Sequence, residues 1–342
     1  MNNSTLIDLC NTANYLAHNA QLTVTLIIKV VVSAIGLFLF ALLFKFQGTY
    51  MAFHSNARIL FMSHHVWTVL QMIFNILCNS FSLIRYAMKH DNPCDFLLTA
   101  AVAGLTKGPI VFAAHGQIWA LAAMAIERCF ATYKYRDYEK RTALIGKSLI
   151  LAQWLMTILW IGISLSGADF NDYKAYPTIS SSKTSSKIST LLFILAGVEI
   201  TALCIFLGLL WYNCRKSRQI GDASLTEKYQ ISENIRTTKL MIPLVLTHFC
   251  FFMPTLIGLP VYMKFIDPTV DQRYFTVYME CINCSPFYCI SLPIVLFWRR
   301  KVLRQNLQKV IGVSVISFDA PRNQHHLRHF ALLKDVWKGP SA

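Results

Sequence analysis

Charged side chains are scarce in this chain. Of its 342 residues 14% are Asp, Glu, Lys or Arg, against about 25% in an ordinary soluble domain. With 55% of residues hydrophobic, that scarcity argues against a water-soluble fold. Several signatures are missing too. No glycine-rich phosphate loop, HExxH or G-x-S-x-G elbow occurs, so nothing points to an enzyme or to a bound cofactor. Cys281 and Cys284 have metal-like spacing but lack a matching second pair, so no metal site is expected. Residues 1–21 hold no Lys or Arg and no apolar core ahead of a small-residue cleavage site. A removable signal peptide is therefore not indicated. No internal duplication of the kind common in transporters is visible.

What the chain has is long apolar runs. A helix needs roughly 20 apolar residues to cross the hydrocarbon layer, because its backbone polar groups must be satisfied within the segment. Seven runs meet that length, at about 22–44, 60–84, 97–126, 144–166, 188–212, 240–263 and 274–298. Strings such as residues 31–44, apolar almost throughout, are unlike the alternating strands of a β-barrel. The expected fold class is all-α: a polytopic seven-transmembrane bundle over 22–298, an extracellular N-terminal segment over 1–21, and a cytoplasmic tail over 299–342.

Orientation follows Lys and Arg, which accumulate on the cytoplasmic side. The first, third and fifth connections and the tail hold 22 basic residues, against 7 in the N-terminal segment and the other three connections. This predicts the N terminus outside and the C terminus inside. The formal net charge of +15 is then a topology signal, and nucleic acid need not be invoked. Overlapping sequons at Asn2 and Asn3 fall on the expected outer side as candidate glycosylation acceptors. The outer connections are short, and the Ser/Lys-rich string 180–187 reads as solvated and mobile, so a ligand must enter the bundle from its outer mouth. Residues 298–311 place Val302, Leu303, Leu307, Val310 and Ile311 on one stripe with Arg299, Arg300, Arg304 and Lys309 largely off it. Such a helix would lie on the inner leaflet against membrane lipid, or serve as a plain stop-transfer cluster.

Ionisable residues inside spans are expensive and usually face the bundle interior, so each is a functional candidate. Here they are Lys29, Lys107, His115, Lys147, Glu199, His248 and Glu280. Lys147 and Lys107 can snorkel toward the membrane faces. Lys107, His115, Glu199, His248 and Glu280 are the candidate ligand-pocket residues, with partner-helix pairing as the competing role for each Glu. At the cytoplasmic end of the third span sits Glu127-Arg128. Neighbouring helical residues point about 100° apart, so their side chains are not expected to meet face to face.

That GluArg pair, after a long third span, resembles the Asp/Glu-Arg-Tyr element of G-protein-coupled receptors. More specific strings are GluArgCysPheAlaThr at 127–132, AspTyrGlu at 137–139, SerLeuThrGluLysTyrGlnIleSerGluAsn at 224–234, PheHisSerAsn at 53–56, AsnProCysAsp at 92–95, and Glu280 with SerProPheTyr at 285–288 and LeuPro at 292–293. Together they resemble the nematode serpentine chemoreceptors of the Sra superfamily, class alpha/beta (Srab) above all. The resemblance implies a chemosensory receptor of the cell membrane, in sensory neurons. A small-molecule ligand would bind in the outer half of the bundle, and Glu127 and Arg128 would control coupling to a heterotrimeric G protein. Two departures stand out. Residues 167–187 contain no Cys, so the loop staple of most rhodopsin-like receptors is missing; Cys94 is left with Cys10 on the oxidising side, Cys78 being the alternative. The seventh span has SerProPheTyr in place of AsnProxxTyr. The rival reading is an ion channel or transporter using the intramembrane Glu and His residues.

Overall fold

A computed structural model describes residues 3–45, 54–134, 144–180, 184–219, 225–265 and 272–311. Nine helices occur among them: α1 (Asn3–Ala17), α2 (Ala20–Lys45), α3 (Ser55–Ala87), α4 (Ala100–Tyr133), α5 (Leu144–Leu165), α6 (Ser185–Gln219), α7 (Leu225–Phe265), α8 (Gln272–Ile282) and α9 (Ser285–Ile311). Seven spans are long and apolar enough to cross a membrane, the last made of α8 and the start of α9. The chain divides into two compact units after Phe297, and the packing below is that of the first.

The helices are inside out relative to a soluble protein. α2 buries Leu22, Leu26, Lys29, Ser33, Gly36, Phe40 and Leu43 at helical spacing and exposes Val24, Ile27, Val31, Ile35 and Phe38. In α3 the buried stripe is polar, with His64, Thr68, Gln71, Asn75, Asn79 and Ser82, while Ile73, Leu77, Phe81 and Ile84 face outward. Lipid is as apolar as Leu, so polar groups gain by turning to one another. Gln71 does this, receiving Gln117 of α4 and donating to Ser285 Oγ at 2.6 Å. Gly116 makes room for Trp67 of α3 against α4: a Cβ there would lie 2.3 Å from the Trp67 ring, which packs on Trp154 of α5 at 4.0 Å.

Several sequence expectations are corrected. The third span does not begin at 97. A 3-10 turn over Pro93–Phe96 leads into strand β1 (Leu98–Thr99), which pairs antiparallel with β2 (Tyr173–Lys174), so the all-α bundle carries one short two-stranded sheet. Thr99 then caps α4. Of the string 180–187 expected to be solvated, Thr184 is buried and Ser185–Lys187 belong to α6, while residues 181–183 lie outside the described residues; ahead of it Ala175 and Tyr176 are buried. The fifth connection, drawn over 213–239, is helical to Gln219 and again from Leu225. α7 runs unbroken through Pro243, Pro254 and Pro260, as membrane helices do when neighbours satisfy the freed backbone groups. The real interruption lies between α8 and α9. Pro286 has no N–H to give Ile282, whose carbonyl accepts instead from Cys284 N at 2.9 Å and from Thr255 Oγ1 at 3.1 Å.

The N-terminal segment is also a helix. α1 packs Ala13 and Leu16 against Leu22, Leu26, Phe96 and Tyr176, and Cys10 is bonded to Cys94 with their Cα atoms 4.5 Å apart. Asn2 lies outside the described residues, and Asn3 opens α1 without a described side chain. The α9 backbone is helical to Ile311, but the side chains invoked for an amphipathic helix over 299–311 lie outside the described residues.

Candidate functional site

α4, α6, α7 and α8, with residues 178–180 ahead of α6, border a cavity of about 130 Å³, close to the ~150 Å³ engineered cavity that holds a benzene molecule. Its wall is almost wholly apolar, with Ile118, Leu192, Phe252 and Leu256 among the lining, and Lys107, His115 and Glu280 supply polar groups. Three of the five pocket residues expected from the sequence are thus brought together. Lys107 does not snorkel toward the membrane face. Its ammonium donates to Glu280 Oε1, and Lys29 Nζ donates to Glu280 Oε2 at 2.5 Å. All three side chains are buried, and inside a bundle the attraction between opposite charges exceeds what a lysine gains at the interface. Tyr176 adds a fourth group, its hydroxyl donating to Glu280 Oε1 at 2.9 Å while its ring lies 5.6 Å from Lys107 Nζ. Burial, and next the Glu280 carboxylate, push the Tyr176 phenol well above its usual range, so it remains a donor at physiological pH.

Glu199 and His248 do not line this cavity. They form a separate buried pair joining α6 to α7, Glu199 Oε1 to His248 Nδ1 at 2.7 Å. The His248 ring stacks on Phe252 at 3.7 Å and meets Tyr288 edge-on at 4.8 Å, and Tyr288 hydroxyl lies 2.6 Å from His64 Nε2. Phe252 is therefore shared: one side faces the cavity, the other the polar layer beneath it.

At the far end of α4, Arg128 grips Glu127 with two bonds, Nε to Oε2 at 2.6 Å and a terminal nitrogen to Oε1 at 2.5 Å. This overturns the expectation that neighbours on a helix do not meet. The 100° between their Cα–Cβ directions is real, but both side chains are long, both are buried, and the guanidinium folds back onto the carboxylate when solvent is excluded. Asn213 of α6 donates to Thr132 Oγ1, and Asn234 of α7 to the Ala131 carbonyl, each at 3.1 Å, so the last turn of α4 is tied to both neighbours beside Arg128.

The sequence reading missed Lys29 as a site residue, and Tyr176, Asn213 and Asn234 entirely. Lys29 had a usable signal as an ionisable residue inside a span. Tyr176 had none, because it sits in a connection with no apolar run. Asn234 closes one of the strings that carried the resemblance, but a polar residue near a membrane face is unremarkable on its own.

Comparison with known proteins agrees with this architecture. A family model described as serpentine type 7TM GPCR receptor class ab chemoreceptor matches residues 8–331. Serpentine receptor class alpha/beta-14 of Caenorhabditis elegans is 24% identical over 292 residues, covering 76% of this chain and 74% of its own length. Serpentine receptor class beta-11 of the same nematode is 25% identical over 245 residues (71% and 70%), and class beta-17 is 23% identical over 297 residues (84% and 79%). A match running along nearly the whole chain, on a bundle with seven apolar spans, means that this multi-pass membrane protein belongs to the serpentine class alpha/beta chemoreceptor family.

Proposed function

We propose that the chain is a chemosensory G-protein-coupled receptor of the cell membrane, with its N terminus outside and the cavity as its ligand site. Ligand would enter at the outer mouth and bias the bundle between two arrangements, and Glu127–Arg128 would control release of the cytoplasmic face to a heterotrimeric G protein. The observation that carries this is the layout of α4. Lys107 and His115 line the cavity in its first half, and Glu127 and Arg128 form the buried pair near its end. At 1.5 Å rise per residue Lys107 lies about 30 Å and His115 about 18 Å from that pair along one helix. Between them, Phe252 and His248 put cavity wall and polar core in direct contact.

The test is a pair of variants with opposite signs, read by a G-protein activation sensor with surface staining and membrane current recorded in parallel. Glu127→Gln weakens a charge-assisted bidentate pair and should raise basal activation roughly tenfold, the equivalent of about 1.5 kcal/mol. Arg128→Ala should abolish activation and still reach the surface, because Lys134, Arg136, Lys140 and Arg141 remain to anchor that end. Normal signalling by Arg128→Ala at the surface would reduce the pair to a membrane anchor. A ligand-gated current without sensor response would favour the channel reading.

A further inference from the structure

The cavity's charge balance selects among ligands. Lys29, Arg85 and Lys107 are all buried at the end of the bundle that carries α1, and among the described residues Glu280 is the buried carboxylate there. Both Glu280 oxygens are occupied, by Lys107 and Tyr176 on one and by Lys29 on the other. A cationic ligand would therefore meet a carboxylate already surrounded by donors, beside a surplus of positive charge. The Arg85 guanidinium, 8% exposed and 5.3 Å from the Tyr86 ring, has no carboxylate partner among the described residues and adds to that surplus.

Of these cations it is Lys107 that borders the cavity, and one of its three ammonium donors is engaged among the described residues. Two turns further along α4, about 12 Å by the helical rise, His115 also borders the cavity, with a buried Nδ1 that has no hydrogen-bond partner among the described residues. The remaining wall is mainly hydrocarbon, with the side chains of Ser164, Thr178, Ser180, Thr255, Asn283 and Ser285 interspersed. A group that complements this arrangement carries one negative charge and two acceptor oxygens on a short apolar body.

From this charge count we infer that the cavity takes a small amphiphilic acid, its carboxylate on Lys107 and its tail running past His115 among Ile118, Leu192, Phe252 and Leu256. Bound this way, the ligand extends the row Lys29, Glu280, Lys107 by a carboxylate, so that charges alternate along it and the buried positive surplus falls by one. The inference rests on the receptor reading only in taking the cavity as the ligand site. By volume, the best tail is on the order of six carbons.

Binding is measured without any G protein, as the shift in unfolding midpoint of the purified full chain with straight-chain carboxylates from butanoate to decanoate, beside alcohols and amines of equal length. At neutral pH one or more acids should bind at least ~tenfold more tightly than the matching alcohol, the discrimination expected of a charge-assisted bond. Amines should not shift the midpoint. Lys107→Gln should bring the acids down to the level of the alcohols, and Ala114→Phe, which fills the cavity and keeps Lys107, should remove both. An alcohol or amine that matches the acid, an acid preference that survives Lys107→Gln, or an acid series without effect overturns the inference. If Lys107→Gln does not fold, the acid-to-alcohol ratio of the unmodified chain and the loss in Ala114→Phe decide it. Acid binding with a silent G-protein sensor would overturn the coupling reading alone.

Discussion

At the scale of single residues, Glu280 matters more than any one of its partners. A carboxylate taken out of water costs several kcal/mol unless opposite charges and hydrogen bonds replace what is lost. Glu280 receives Lys29, Lys107 and Tyr176, and in return it is the group that holds both lysines. The consequence is an asymmetry between variants. Glu280→Gln leaves two buried ammonium groups without a counter-charge and should lower stability by about 3–5 kcal/mol. Lys29→Met leaves Glu280 with Lys107 and Tyr176 and should cost less than that. Unfolding midpoints of the two purified variants check the order, and a milder effect of Glu280→Gln would mean that the lysines find other partners. That these residues mattered was legible in the sequence, since charge inside a span is rare enough to stand out. Their pairing was not, because Lys29 and Glu280 are 251 residues apart and Lys107 and Glu280 are 173 apart. The Glu127–Arg128 grip was hidden for the opposite reason: a helical-wheel argument fixes where Cβ points and says nothing about where a long, desolvated side chain can curl.

At the scale of elements, the N-terminal helix has little hydrophobic support of its own. α1 is a single amphiphilic helix of 15 residues, near the length at which isolated helices are marginal in water. Its buried face is small, with Cys10, Ala13, Leu16 and Ala17. The Cys10–Cys94 bond spans a sequence separation of 84 residues and ties this helix to the turn before α4. Cys10→Ser should therefore lower stability by about 2–4 kcal/mol, with most of the loss from the larger conformational freedom of the unfolded chain. Peptide mapping without reduction should recover Cys10 and Cys94 as one linked pair, and finding both as free thiols would exclude the bond in the cell. The membrane-embedded parts of α2 to α9 were legible as apolar runs. The extensions beyond the membrane were not: α7 begins some 15 residues before the apolar run at Leu240, since Leu225–Lys239 is helical while mainly polar. Hydropathy detects lipid contact, not helix. The β1–β2 pair, two residues a side, is too short to leave any alternating pattern.

At the scale of the whole molecule, two independent patterns bear on how the bundle sits in its membrane. The surface between the helix ends is lined with exposed apolar side chains, such as Val31 and Phe38 on α2, Leu77 and Phe81 on α3, and Leu155 and Leu159 on α5, while His64, Asn75, Glu199 and His248 are buried. That fixes the axis of the bundle relative to lipid but not its direction, because lipid is apolar on both sides. Direction rests on charge alone. The first, third and fifth connections and the tail hold 22 basic residues, against 7 for the N-terminal segment and the other three connections, and Lys and Arg are retained on the cytoplasmic side during insertion. Epitope tags inserted beside Ser182 and at the N terminus should therefore stain on intact cells, and tags beside Gly221 and at the C terminus should stain after permeabilisation. A tail tag visible on intact cells would place Glu127 and Arg128 outside with it, since four spans, an even number, lie between that pair and the tail. The cavity would then open toward the cytoplasm, and a receptor for external chemicals could not be built from this bundle.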